Sequence, residues 1–290
     1  MDLLICIDDT DNADSRGTGA LADELRDLVT ERFSGNCGYV TRHQLLIHSD
    51  IPYTSHNSSM CFPCNVDTVE LGELAEACYG YLADESAPES DPGIAVADVQ
   101  KSDKALLESF GMDAKRRVIT KEEAHDTAKR AGVWLREAGG TGQGIIGALA
   151  GAGLRLWGND GDLRGKLATL EKGAVYSVRE IKDSNYIQEV RDEKGSILPD
   201  DENVFIKWKA KPSLRDGRFT LYVKRQGDGW STMEKDEMRR FLGEHIYSKG
   251  CGRYVPDVEE EQVDDTLSCY NCRYRRWTGN GFMCQRERER

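Results

Sequence analysis

Three aspartates, Asp8, Asp9 and Asp11, follow directly on the apolar run Leu3-Leu4-Ile5-Cys6-Ile7. Carboxylates this close repel one another unless a cation or hydrogen-bond donors compensate them. Mg2+ takes oxygen ligands, usually one or two carboxylates completed by water and substrate phosphates. The cluster therefore reads as a Mg2+ and phosphate site, with a helix cap and turn as the plain alternative. Far along the chain, Gly139-Gly140-Thr141-Gly142-Gln143-Gly144 opens a small-residue apolar segment, Ile145 to Ala152. Successive glycines let backbone amides approach an anion, and the positive end of a following helix favours phosphate. The run lacks the Lys-Ser/Thr ending of a P-loop and the spacing of a dinucleotide fingerprint, so neither motif applies. Its plain alternative is a flexible connection followed by tight helix packing. An aspartate loop and a glycine loop in one domain together suggest a Mg2+-nucleotide site.

The cysteines suggest a second chemistry. Cys269-Tyr270-Asn271-Cys272, preceded by Cys251 and followed by Cys284, forms a four-thiolate set of the kind that holds Zn2+. An iron-sulfur cluster and ordinary thiols are the alternatives. Neighbouring arginines, with Tyr270, Tyr274 and Trp277, offer charge and stacking surfaces suited to single-stranded RNA. Cys61-Phe62-Pro63-Cys64 is a second CxxC, but no thioredoxin-like context surrounds it, and structural thiols are the preferred reading. Nine cysteines are an odd count, and free thiols or metal ligands fit better than a disulfide framework. His43 and His48 on an expected strand, and His125 and His245 in helical patterns, read as structural.

The elements that must position these groups follow from periodicity. Leu3 to Ile7 reads as a buried strand, and Leu21, Leu25, Leu28, Val29 and Phe33 recur at helical spacing after Thr18, a fitting N-cap. Further strands are expected near 39–47, 59–66 and 94–97, and a helix through Leu71, Leu74, Ala75, Cys78 and Leu82. Thr120 and Glu123 form a capping-box pattern for a helix running to about Ala138. Beyond Gly173 the pattern turns to β-like runs at 174–181, 204–208 and 219–223, with one helix over about 232–246. At 290 residues the chain exceeds the ~100 to 200 residues of one domain. No apolar run nears the ~18 residues that cross a bilayer and no signal peptide opens the chain, so a cytoplasmic address without a membrane partner is expected. Of the net charge of −12, residues 1–172 carry 17 Lys and Arg against 29 Asp and Glu, while 173–290 carry 22 of each. The front half is thus unsuited to grip nucleic acid by bulk charge, and double-stranded DNA is not an expected partner.

Four segments in order carry a resemblance to a known family: Ile7-Asp8-Asp9-Thr10-Asp11, Asp50-Ile51-Pro52-Tyr53-Thr54 through Asn57, Asp91-Pro92-Gly93, and Gly142-Gln143-Gly144-Ile145-Ile146-Gly147-Ala148-Leu149-Ala150. Over residues 3 to 160 the chain resembles the archaeal agmatinylcytidine synthetases of isoleucine tRNA, the tRNA-Ile agmatidine synthases. The resemblance implies an α/β (α+β) catalytic region, kinase-like in role, with a ferredoxin-like part, using ATP and Mg2+. In that family ATP activates the C2 oxygen of an anticodon cytidine, and the amine of agmatine displaces it. By motif position Asp8, Asp9 and Asp11 would be the metal and phosphate carboxylates. Thr10, Asn57, Gly142, Gly144 and Gly147 would face the nucleotide. Thr18, after Arg16-Gly17, is the counterpart of a phosphate-accepting threonine, one residue short in spacing. Where the family has a basic Lys-Thr-Arg-Gly-Asn stretch, this chain reads Tyr53-Thr54-Ser55-His56-Asn57, leaving His56 as the site's basic group. The expected organisation is an ATP-binding catalytic region over 1–172, a smaller β-rich domain over 173–250 and a zinc-binding tail over 251–290. The expected partners are ATP, tRNA or another RNA, and a small amine. An ATP-dependent kinase or ligase acting on a small molecule or protein, and a non-catalytic nucleotide- and RNA-binding module, are the rival readings.

Overall fold

The computed structural model describes residues 1–12, 15–48, 50–51, 57–67, 70–164, 170–183 and 186–233, with the backbone of 275–278 and 281–284. The chain is a mixed α/β protein that divides into two compact units, Met1–Trp157 and Gly158–Arg290. Among the described residues no helix is long and apolar enough to cross a membrane.

The first unit runs β1 (Asp2–Asp8), α1 (Thr18–Phe33), β2 (Asn36–Cys37), β3 (Thr41–Gln44), β4 (Ser58–Asn65), α2 (Leu71–Glu85), β5 (Gly93–Asp98), α3 (Lys104–Ala114), α4 (Lys121–Ala131), β6 (Trp134–Glu137) and α5 (Gly144–Trp157). Its sheet has the order β6-β5-β1-β4-β3, with β2 also on β4, and the pairings are antiparallel. Helices cover both faces, which is why β1 reads as an unbroken apolar run. Leu3, Ile5 and Ile7 enter one core with α1 and α2, while Leu4 and Cys6 enter another with α3, α4 and α5. The alternation of strand side chains sends neighbours to opposite faces.

Helix α5 lies unusually close to its neighbours. A Cβ on Gly147 would overlap the Asp8 carboxylate, and one on Gly144 would stand 2.7 Å from the Asp8 carbonyl oxygen. On the helix's other side a Cβ on Gly153 would overlap the carbonyl oxygen of Leu107 in α3. The glycines therefore act first as the condition for seating α5 on β1 and α3.

Several elements depart from the sequence expectation. Thr18 is the first residue of α1 and not its cap; Gly17, in extended backbone, takes the N-cap position, and the Thr18 hydroxyl turns instead to the Thr10 amide and Asp11. The Thr120–Glu123 capping box is present, but α4 ends at Ala131 with Gly132 in the left-handed region at φ 72°. The continuation expected to run to Ala138 is instead the strand β6, paired with β5, whose Trp134 and neighbouring Val133 suit a pleated surface better than a helix. Between β2 and β3 the register slips by one residue: Cys37 faces Cys64, whereas Thr41, four residues on, faces Cys61, three back. The resulting bulge sets Tyr39 and Val40 opposite Phe62; beside it Pro63 accepts from the Gly38 amide at 2.8 Å and has no N–H to return.

The second unit contains β7 (Asp162–Leu163), β8 (Val175–Ser177), α6 (Val178–Asp183), β9 (Glu189–Arg191), β10 (Asn203–Phe205), β11 (Ser213–Arg215), β12 (Arg218–Gln226) and β13 (Gly229–Thr232). They pair in the order β7-β11-β12-β13-β10-β8, with β9 parallel to β12. Val178, Ile181, Val190, Val204, Leu221 and Val223 share its core. The run expected as one strand over 174–181 divides into β8 and α6, since Ser177 caps the helix through Glu180. Thr232 ends β13, and the helix expected after it falls at 234–246, outside the described residues. The hairpin of β14 (Arg275–Thr278) and β15 (Gly281–Cys284) follows.

The close seating of α5 makes a direct prediction. Gly153→Ala should lower the free energy of unfolding by about 1–3 kcal/mol or more, because backbone must move. Gly80→Ala in α2, where nothing lies within 4 Å, should raise it by about 0.5–1 kcal/mol. Urea denaturation measures both, and equal effects of the two substitutions would dismiss the packing account.

Candidate active site

The end of β1 and the start of α5 enclose a cavity of about 770 Å3 including its open mouth. Asp8, Asp9, Asp11, Thr18, Asp50, Asn57, Arg117, Gln143, Gly144 and Gly147 line it, with Leu45, Ile51, Val118, Ile119 and Ile146 as an apolar wall. The aspartate and glycine segments, more than a hundred residues apart in sequence, thus share one cavity in the first unit.

Local geometry sets the electrostatics. Asp8 is the last residue of β1 and is buried; its Oδ1 accepts from the Asp9 amide at 2.9 Å. Asp9 takes a left-handed conformation, φ 55°, which an L-residue adopts rarely and Asp or Asn more readily than most. This turn redirects the chain at the end of β1, an inner strand of the sheet. The Thr18 hydroxyl donates to Asp11 Oδ1 at 2.9 Å and accepts from the Thr10 amide at 3.4 Å, tying the aspartate loop to the first turn of α1. Burial pushes the Asp8 carboxyl well above the usual range, and the charges of Asp9 and Asp11 push it further. Asp9 is raised to about 6, first by burial and then by the charges of Asp91 and Asp11. Among the described residues no Lys, Arg or His forms an ion pair with Asp8, Asp9 or Asp11; Arg16 pairs with Glu24 at 2.9 Å and with Glu85 at 2.5 Å.

The other expected site residues fall as follows. Gly144 and Gly147 line the cavity, but Gly142 sits against Glu137, where its φ of 70° and the lack of a Cβ are both required. The amides of this loop are largely engaged within the protein. Thr141 N donates to the Asp91 carboxylate, Gly144 N to Asp91 O at 2.8 Å and Gly142 N to Gly139 O at 3.0 Å. Thr10 is buried, its carbonyl accepts from Ala87 N at 2.9 Å, and its hydroxyl has no hydrogen-bond partner among the described residues. Asn57 donates from Nδ2 to Leu46 O at 2.6 Å and lines the cavity. His56 lies outside the described residues, as do His245, Cys251, Cys269 and Cys272; Cys284 ends β15, of which only the backbone is described. Among the described residues no three His, Cys, Asp or Glu side chains are grouped to hold a metal ion by themselves.

Two groups escaped the sequence reading. Asp91 braces the glycine loop and also loads charge onto Asp9; the Asp91-Pro92-Gly93 turn marked its place but not that role. Arg117 lines the cavity while pairing with Glu123 at 2.7 Å and Asp113 at 3.3 Å. Its signal was the basic triplet Lys115-Arg116-Arg117, in which Lys115 is buried and donates to Gln44 O at 2.7 Å. The histidines take structural positions: His43 is buried with Nε2 2.8 Å from the Thr41 hydroxyl, and His125 is 2.9 Å from Glu137. His48 follows β3 and is not part of it.

The crowded carboxylates make stability depend on pH. Asp9 ordinarily titrates near 3.8 but near 6 in the fold, so its favourable contribution is complete below 3.8 and is lost as pH rises through 6. Asp9→Asn, which tolerates the left-handed turn, should melt higher than the parent at pH 8 in EDTA, by on the order of a few degrees. The advantage should vanish near pH 4. A parent protein that melts at the same temperature as the variant at both pH values would dismiss the repulsion.

No family model and no curated protein matches the chain. Among solved structures it is similar to apo TiaS, an isoleucine-tRNA agmatidine synthetase, at 24% identity and TM-score 0.46, over 53% of this chain and 35% of that one. It is also similar to TiaS in complex with its isoleucine tRNA, AMPCPP and agmatine, at 26% identity and TM-score 0.45 over 53% and 36%. A complex of TiaS with the same tRNA and ATP is similar at 26% and 0.44 over the same shares. The chain spans about a third of the length of each of these proteins. These three structures are of agmatidine synthetases, the family that the sequence motifs resemble.

Proposed function

We propose that this protein is an ATP-dependent tRNA-modifying enzyme of the agmatidine-synthase type, acting in the cytoplasm on a cytidine. ATP would activate the base by phosphoryl or adenylyl transfer, and a small amine would displace the activated oxygen. The observation that carries the reading is the convergence of Asp8, Asp9, Asp11, Thr18, Gly144 and Gly147 on one cavity. The kinase-like part of the reading rests on Thr18. Its hydroxyl already donates to Asp11 at 2.9 Å, which is the arrangement of a nucleophile beside its base. Thr18 also occupies the first turn of α1, where the helix end favours a negatively charged phosphoryl group.

The donor set fits Mg2+, since hard carboxylate oxygens are crowded together without an ion-paired cation among the described residues. One or two of Asp8, Asp9 and Asp11, completed by phosphate oxygens and water, would hold the ion, since no three acidic side chains among the described residues are grouped to do so; it would supply charge neutralisation for the transferring phosphate when bound. Arg117 and the start of α5 would orient phosphate oxygens, and the apolar wall of Leu45, Ile119 and Ile146 would accept a flat base and exclude water from it. In the tail, Cys251, Cys269, Cys272 and Cys284 would hold Zn2+ in a small RNA-binding module. Deprotonated thiolates in a CxxC corner are the expected chemistry for it.

Incubation of the purified protein with labelled ATP, agmatine and bulk tRNA tests the reading by AMP or ADP release and by label in cytidine. The expected result is tRNA-stimulated turnover that Asp8→Ala and Asp9→Ala abolish and Thr18→Val reduces by roughly 100-fold or more. Turnover indifferent to tRNA would favour a kinase or ligase with a smaller acceptor, and ATP binding without turnover a non-catalytic module. Zinc analysis of the same preparation, with and without the four cysteines, tests the tail.

A further inference from the structure

We propose that Cys37 and Cys64 form a modification site: a thiol pair that a hydroperoxide oxidises to a disulfide. The two residues face each other across β2 and β4, and both are free thiols. The neighbouring pair Gly38 and Pro63 carries the ladder hydrogen bond, 2.8 Å from Gly38 N to Pro63 O, so Cys37 and Cys64 occupy the intervening non-hydrogen-bonded position. Cα atoms in such pairs lie about 4.5 Å apart. A disulfide spans about 4.4 to 6.8 Å between Cα atoms. The bulge opposite Phe62, where Tyr39 and Val40 face one residue, shifts the register by one and is what brings these thiols opposite each other.

The two sulfurs differ in a way that assigns their roles. Cys37 is half-buried at the sheet margin, where an oxidant can reach it, whereas Cys64 is buried, its sulfur lying where a Cβ on Gly35 would stand 2.6 Å away. Hydrogen bonding from the Cys64 thiol, and then from Thr30, holds the Cys37 thiol below its usual value, while donating to Cys37 raises Cys64. Cys37 is the attacking thiolate and Cys64 the resolving thiol. The Cys37 sulfur attacks the peroxide, breaking its O–O bond to give a sulfenic acid and an alcohol or water. The Cys64 sulfur then displaces water from the sulfenic sulfur. In sum, two thiols and ROOH give one disulfide, ROH and H2O, with the sulfurs losing two electrons and the peroxide gaining them.

The fold supplies its own comparison. Cys6 and Cys61 also face each other across β1 and β4, but both are fully buried. Cys61 and Cys64, though a CxxC in sequence, point to opposite faces of β4 and enter different cores, so they are not each other's partners. Cys78 of α2 shares the core of Cys64 and is the competing thiol; burial and the charge of Cys37 push it up to about 12.

The test treats the native full chain with hydrogen peroxide, blocks remaining thiols with N-ethylmaleimide and maps unreduced peptides by mass spectrometry. The expected product is a linked Cys37–Cys64 peptide two hydrogens lighter than its parts. It should be lost completely in Cys37→Ser and in Cys64→Ser and retained in Cys6→Ser. A Cys64–Cys78 link, formation of Cys6–Cys61 at the same rate, unlinked Cys37 sulfinic acid, or full maleimide labelling of Cys37 after peroxide would each overturn the proposal. Because the readout is on the parent chain, it stands even if a variant fails to fold.

Discussion

The close approach of α5 to β1 is the constraint on which the first unit depends. With no side chain at Gly147, the helix can rest against the Asp8 carboxylate, and the same contact closes the floor of the cavity. A larger residue would lift the helix and open the site at once, so packing and chemistry are set by the same atoms. Interiors close-packed to this degree transmit a displacement of one methyl group instead of absorbing it.

That approach also produces the charge imbalance. Seating a helix on the end of β1 buries Asp8, and the left-handed turn at Asp9 sets a second carboxylate near Asp11 and Asp91. Carboxylates desolvated together favour protonation or a cation. The arginine that lines the cavity, Arg117, is already shared by Glu123 and Asp113. The fold thus tolerates an unfavourable arrangement at its cavity while satisfying charges elsewhere, for example at Asp98 with Lys101. Such local disagreement with stability is characteristic of sites shaped for binding or chemistry.

Much of this was legible in the sequence because it is local. The apolar run of β1, the heptad-like face of α1, the capping box of α4 and the glycine loop all declare themselves within a dozen residues. What was hidden depends on tertiary contacts. Thr18 reads as a cap until the helix starts at it and its hydroxyl oxygen accepts from the Thr10 amide instead. Residues 134–137 continue an apparent helix until Gly132 ends it and β5 offers a ladder. Arg117 enters the cavity from a segment with no motif of its own. The glycine loop invites a reading of open amides, yet Asp91, fifty residues earlier, already occupies two of them, those of Thr141 and Gly144. The CxxC of β4, read as structural thiols, is indeed no pair, since spacing that joins two thiols in a turn separates them in a strand.

Helix α5 has four glycines in fourteen residues, Gly144, Gly147, Gly151 and Gly153. Each is disfavoured by about 1 kcal/mol relative to alanine in a helix interior. Such a segment has little reason to coil by itself and becomes helical by docking. The cavity floor is consequently not a preformed part awaiting assembly. It arises together with the sheet beneath it, which links the existence of the site to completion of the whole unit.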